Sequence, residues 1–303
     1  MFRLYPELKK NVAKMVTVSQ MRSLTTQQVI EKMMRYGVQY DEEQFLATCE
    51  KMDSAWDVAE TLWPEQLKSL EPSVSDISGL GACVLWERLF HEKKLTRVSF
   101  EMLDDWMENG YALLDEDCFQ ACRIWMRVWK TFTDIYDVAG LSIKQIDARF
   151  KGSQSFFNWC QDFEMALINA SIDEKEFAEI GVSFLDEFVT CFADEDTDFV
   201  NQFKSSLGEL YCRAGNQDTG EKVLADLIRK HPDRGVGYIG METAVSIRKM
   251  EDESSALKER LNILEMAKNA PVMDGESYDL DRRIRHLKEM IQDLTAKRQD
   301  NPQ

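Results

Sequence analysis

The chain has 303 residues, room for one large domain or two ordinary ones. Hydrophobic residues at 44% and charged residues at 30% exclude a disordered polyelectrolyte, and only 14 Gly and 6 Pro argue against a turn-rich all-β fold. A net charge of −17 opposes capture by duplex DNA or an anionic membrane unless a local basic patch intervenes.

The N-terminus carries Pro6 and mixed charges where a secretory leader needs an apolar core. The uncharged run 77–86 falls well short of the about 20 residues of a membrane span. Seven cysteines (Cys49, Cys83, Cys118, Cys122, Cys160, Cys191 and Cys212) are scattered and odd in number. These features predict a cytoplasmic chain with reduced, mostly buried thiols and no membrane association.

Capping boxes, in which an N-cap acceptor and a Glu or Gln three residues on satisfy free backbone N–H groups, punctuate the chain. Thr25 and Gln28 open a helix over 24–36 that stops at Gly37. Asp41 and Gln44 open 42–51, and Ser54 and Asp57 open 55–63 before Pro64. Segment 70–78 reads as the most loop-like interior stretch, so 1–72 is expected to be a helical N-terminal subdomain. A central helical-hairpin region, 73–195, follows with helices at 78–91, 99–109, 116–136, 143–149, 154–169 and 174–192. Asn109-Gly110 is expected to end one of them, while Ser142…Gln145 and Asp173…Glu176 are expected to start two others. The apolar period is helical, as in Phe119, Cys122, Trp125, Met126 and Trp129. The third region, 196–297, holds helices at 198–214, 219–230 (opened by Asp218…Glu221), 236–249, 255–269 and 277–297. The tail 298–303 is expected to be disordered. No strict alternation appears over six or more residues, so the chain is predicted all-α with short loops and antiparallel neighbours.

Within the third region a 34-residue period starts at Asn201. Leu207, Gly208, Tyr211, Gly220, Leu224 and Pro232 fall at its positions 7, 8, 11, 20, 24 and 32. Gly208 and Gly220 would let paired helices approach, Tyr211 and Leu224 would fill the space between them, and Pro232 would end the second helix. Tyr238, Met241 and Val245 continue the period, and helix 277–297 would cap the stack. This spacing resembles the tetratricopeptide repeat (TPR), with Lys204 where the repeat prefers Trp and Leu227 where it prefers Ala. A longer resemblance rests on Trp86-Glu-Arg-Leu-Phe90, Ser99-Phe-Glu-Met-Leu-Asp-Asp105, Gly110-Tyr111, the segment 150–164 and Gly237-Tyr-Ile-Gly240. These look like bacterial TPR-like proteins that often end in a SEC-C zinc motif. No Cys follows Cys212, so that tail is absent and its zinc does not carry over. The resemblance implies a helix-hairpin array, a TPR-like α-solenoid, whose first helices line a concave protein-binding face. In its register the contact positions are Gln202, Ser205, Glu209, Cys212 and Arg213.

Other constellations are weaker. Cys118 and Cys122 share a helix face, but His91, His231 and His286 supply neither further zinc ligands nor a Cys–His pair. Gly235-x-Gly237-x-x-Gly240 matches a dinucleotide string but follows His231-Pro232 rather than a strand, and Gly79-x-Gly81 lacks a third Gly. Asp186, Glu187, Asp194, Glu195, Asp196 and Asp198 read as a solvated helix end, or as a docking patch for a basic partner. They do not form an EF-hand, since Phe199 stands where the loop needs Gly. The aromatics Trp86, Trp106, Trp125, Trp129, Phe156, Phe157, Trp159 and Phe163 read as core before groove. The basic C-terminal residues Arg282, Arg283, Arg285, Lys288, Lys297 and Arg298 read as a solvated cap, with RNA or an acidic partner as the alternative. The expected function is a non-catalytic protein–protein interaction module, an adaptor or regulatory subunit of a bacterial complex in a stress or defence setting. It would use no cofactor and no metal. The alternatives are a nucleic-acid-complex accessory subunit, or an enzyme with its site in 154–164.

Overall fold

The computed structural model describes residues 16–68, 72–136, 140–195, 197–248 and 252–300. The described residues are all helical where they are regular, with no strand among them. The elements are α1 (Val18–Arg22), α2 (Thr26–Arg35), α3 (Glu42–Cys49), α4 (Ala55–Leu62), α5 (Pro64–Leu67), α6 (Pro72–His91), α7 (Phe100–Leu113) and α8 (Cys118–Ile135). They continue with α9 (Ile143–Arg149), α10 (Phe156–Asp173), α11 (Lys175–Cys191), α12 (Asp198–Arg213), α13 (Gln217–Lys230), α14 (Gly235–Ile247), α15 (Glu253–Asn269) and α16 (Leu280–Asp300).

Local chemistry sets most helix starts. Thr25 and Gln28 exchange side-chain and backbone hydrogen bonds, as do Ser142 and Gln145. Asp41 accepts from Gln44 N–H at 2.8 Å. Ser54 caps α4, and Glu101 of α7 reinforces that cap by accepting from Ser54 Oγ (2.6 Å) and Ala55 N–H (2.9 Å). Gly37 follows α2 at φ +89°, a left-handed value that only glycine adopts freely.

Several boundaries differ from the expected ones. The stretch predicted as a loop at 70–78 is helical from Pro72 onward, because proline at the first position of a helix loses no hydrogen bond; residues 69–71 lie outside the described residues. Gly110 does not end a helix but sits inside α7. A Cβ there would lie 2.0 Å from Trp125 Nε1, so the glycine makes room for an indole instead of a turn. Asp173 is the last residue of α10, and α11 starts after Glu174 with no side-chain cap. Asp218 lies within the first turn of α13, where its charge suits the helix dipole, and does not cap it. The predicted disordered tail is helical through Asp300; residues 301–303, like Pro6, lie outside the described residues.

The chain divides into two compact units. The first comprises 1–109, 130–137 and 150–155, the second 110–129, 138–149 and 156–303. In the first, α6 is the central helix, packed against α1, α2, α4 and α5. Gly79 and Gly81 lie beneath Trp56 and Met33 respectively, so these glycines serve helix packing rather than a phosphate loop.

The second unit places α8, α10, α11 and α12 around an aromatic core. Trp125, Trp129, Trp159, Phe156, Phe163 and Phe184 are fully buried there. Ring centroids lie 5.0 Å apart for Trp129 and Phe184 and 4.5 Å apart for Phe163 and Phe184. These aromatics form the core and not a groove, while Phe157, partly buried, meets Phe199 in a tilted contact with centroids 4.3 Å apart.

From α10 onward each helix packs on the next, and α10–α12 and α12–α14 also touch. In α12 and α13, Gly208 faces Leu224 while Cys212 faces Gly220, so the helices run antiparallel. A Cβ on Gly220 would sit 2.4 Å from the Gly208 carbonyl oxygen. The close approach expected of these two glycines is therefore present. Gly220→Val is expected to force the two backbones apart and cost about 1–3 kcal/mol or more, read as a lower urea midpoint; an unchanged midpoint would show that the helices are not in close contact.

Leu224 is fully buried and also reaches Gly240 of α14. Tyr211 does not fill the hairpin interior. It is only partly buried and bonds Asp186 of α11, because its direction on α12 points away from α13. Helix α14 is buried on most sides, as befits a helix contacting α12, α13 and α15. Its Gly235, Gly237 and Gly240 lie against Tyr278, Ile228 and Ser205, which gives the Gly-x-Gly-x-x-Gly string a packing role.

Candidate functional site

The five positions singled out from the repeat register separate by the angle at which they leave α12. Gln202, Ser206, Glu209 and Arg213 recur at helical spacing along one stripe. Gln202 is exposed, and Glu209 and Arg213 are about one-sixth and one-fifth exposed. Arg213 donates to Glu209 through both Nε (2.9 Å) and Nη2 (2.7 Å), so the pair is held one turn apart. Ser205 and Cys212 belong elsewhere. Ser205 is buried and donates to the Val236 carbonyl of α14 at 3.2 Å. Cys212 is buried against Gly220 and Leu224. Neither can join a contact surface, because the neighbouring helices already occupy their positions.

Glu164 of α10 lies beside this stripe. Its side chain is buried, and Ser206 Oγ donates a hydrogen bond to it. Burial raises its carboxyl from the usual 4.5 to about 7; the Ser206 bond opposes the rise, and the negative charge of Glu209 adds to it. The site is thus a polar seam between α10 and α12, with one carboxyl near neutrality and one closed ion pair. The repeat register missed Glu164. The sequence signal was a lone carboxylate inside the apolar run 163–167.

The exposed side of α10 carries Asn158, Gln161, Met165, Ile168, Asn169 and Ile172, which recur on one helix face. None is charged. Met165 is 57% exposed and Ile172 63% exposed. Glu164 sits at the edge of this face, toward α12. Beyond Ile172 the chain turns through the exposed carboxylates Asp173 and Glu174.

A second missed carboxylate, Glu242 of α14, is buried and accepts from Arg260 of α15 at 2.6 Å and Arg283 of α16 at 3.5 Å. It ties three helices together and is too enclosed to meet a ligand.

The segment 154–164 contributes Phe156, Trp159, Cys160 and Phe163 to the core. Burial pushes the thiols of Cys49, Cys83, Cys122, Cys160, Cys191 and Cys212 upward, which disfavours the reactive thiolate. Part of the acidic group is committed within the fold. Glu187 accepts from the Trp129 indole at 2.9 Å, and Glu195 accepts from Ile143 N–H at 2.8 Å; Asp196 lies outside the described residues. Among the described residues no three His, Cys, Asp or Glu gather as a metal ion requires, and no helix is long and apolar enough to cross a membrane.

Together these features define, among the described residues, an all-α helical array with a partly apolar face on α10. No family model, curated protein or solved structure matches the chain.

Proposed function

We propose that this chain is a non-catalytic protein–protein interaction module, a cytoplasmic adaptor or regulatory subunit with a TPR-like hairpin stack. The observation that supports it is the partly apolar face of α10, with Met165 and Ile172 exposed on a chain that is 30% charged. Exposed apolar side chains in a row concentrate binding energy when a partner removes them from water. The occupant is an amphipathic protein segment. Its apolar side meets Met165, Ile168 and Ile172, and its basic flank meets Asp173 and Glu174. The net charge of −17 favours such a basic partner and speeds its encounter. The Glu209–Arg213 pair sets the polar border toward α12.

The test is affinity capture from native-host lysate at low and high salt, with the wild type beside Met165→Asp/Ile172→Asp and Glu209→Lys/Arg213→Glu. The expected result is a stoichiometric protein that the first variant loses by about tenfold or more, the second less, with unfolding midpoints unchanged. A partner held equally by all three proteins, or no partner at either salt, would overturn the proposal.

A further inference from the structure

The start of α16 carries the densest positive charge on an acidic chain. Here an open groove of about 600 Å³ is lined by Tyr278, Arg282, Arg283, Arg285 and His286, with Asp279 before and Glu289 after the arginines in sequence. Its arginines are not equivalent. Arg283 is an anchor: it donates to the Tyr278 carbonyl at 3.0 Å and pairs with the buried Glu242. Arg282 is 81% exposed and held only by Asp279 at 3.4 Å. Arg285 is exposed; it makes no close ion pair among the described residues, and its charge acts on Asp281 one turn back, whose carboxyl Lys268 already binds. Two guanidinium forks are therefore available beside a ring whose edge is fixed against Gly235.

We infer that this groove binds a short acidic peptide segment, with Arg282 and Arg285 each receiving one of its carboxylates. A guanidinium donates two parallel N–H···O bonds to a carboxylate, a geometry that an ammonium cannot offer. These two flanking carboxylates limit the favourable stretch to about two turns of helix. A nucleic-acid strand carries its charges continuously and would run over Asp279 and Glu289. It would also find few rings to stack on, since Tyr278 is already packed on Gly235. An acidic peptide places two charges in the centre and leaves the ends free. This site is separate from the α10 face and does not depend on it.

The experiment uses the full chain and a fluorescently labelled oligoglutamate peptide, followed by anisotropy at low and moderate salt. Binding is expected to weaken with salt, because the screening length falls from about 30 Å at 0.01 M to about 10 Å at 0.1 M. It is expected to fall by about tenfold or more in Arg282→Glu/Arg285→Glu, two exposed positions whose change leaves the fold intact. Arg229→Glu is the control, an exposed cation of α13 remote in sequence from the groove. Failure of the peptide to bind, or an equal loss in the control, would overturn the inference. Tighter binding of a single-stranded oligouridylate, lost in the double variant, would overturn the peptide assignment in favour of RNA.

Discussion

Replacing Trp129 by alanine is expected to destabilise the second unit by about 3–5 kcal/mol, the range for truncating a large aromatic in a packed core. The indole is fully buried and meets three other rings, with centroids 5.0 Å from Phe184, 5.9 Å from Phe188 and 6.3 Å from Phe156. The Phe184 contact is edge-on and the Phe156 contact stacked, and ring pairs of both kinds add to the burial of area. Its Nε1 also donates to Glu187 at 2.9 Å, so the variant loses a hydrogen bond to a charged acceptor. Collapse into the space is limited, because the same rings pack on Phe163 and Phe203. Circular dichroism during urea unfolding is the measurement. A loss under about 1 kcal/mol would place Trp129 at the surface and dismantle the core described above.

The second large effect is a pH dependence that Glu164→Gln removes. Burial lifts the Glu164 carboxyl from 4.5 to about 7. Between those values the folded chain keeps a proton that the unfolded chain has released. The unfolded state then binds fewer protons, so stability falls as pH rises. The contribution is complete below 4.5 and gone above about 7, an interval worth about 3 kcal/mol. Glutamine keeps an oxygen to accept from Ser206 and cannot ionise. Unfolding at pH 5.5 and 8 samples part of the interval while avoiding the acid range where the carboxylates of this chain neutralise. From the lower to the higher pH, the variant should gain about 2 kcal/mol relative to the wild type. Parallel pH curves for the two proteins would show that Glu164 titrates as an exposed carboxyl and that the seam between α10 and α12 is open to water.

Both effects depend on side chains whose importance was unevenly visible in the linear order. Trp129 follows a helical apolar period with Phe119, Cys122 and Trp125, which already directs it to a core. Glu164 is marked only as a lone carboxylate in an apolar run, a feature that does not fix its direction, because such a side chain can turn outward as readily as inward. The candidate site shows the same division. The register placed Gln202, Glu209 and Arg213 on one stripe, but it also included Ser205 and Cys212, which α14 and α13 cover. Tyr211 lies three residues, about one helical turn, beyond a correctly read glycine, Gly208, yet it faces α11.

Local interactions explain what was legible. Thr25–Gln28 and Ser142–Gln145 satisfy their hydrogen bonds within one turn, so their chemistry is complete in four residues. The all-helical class follows from such caps and from a period that needs no partner to be seen. The approach of Gly208 and Gly220 was legible too, since two small residues at matched positions of helices joined by a short turn allow close antiparallel packing. Everything that depends on the rotation of one helix about its neighbour was not. Gly110 could end a helix or lie under an indole, and Trp125 decides it. The N-terminus of α14 has no cap of its own; Asp274, about forty residues on, accepts from Gly235 N–H at 2.8 Å. Glu242 becomes a clasp only when Arg260 and Arg283 arrive from two later helices. Such contacts join residues far apart in the chain, and a rotation of one helix by a fraction of a turn exchanges a buried side chain for an exposed one.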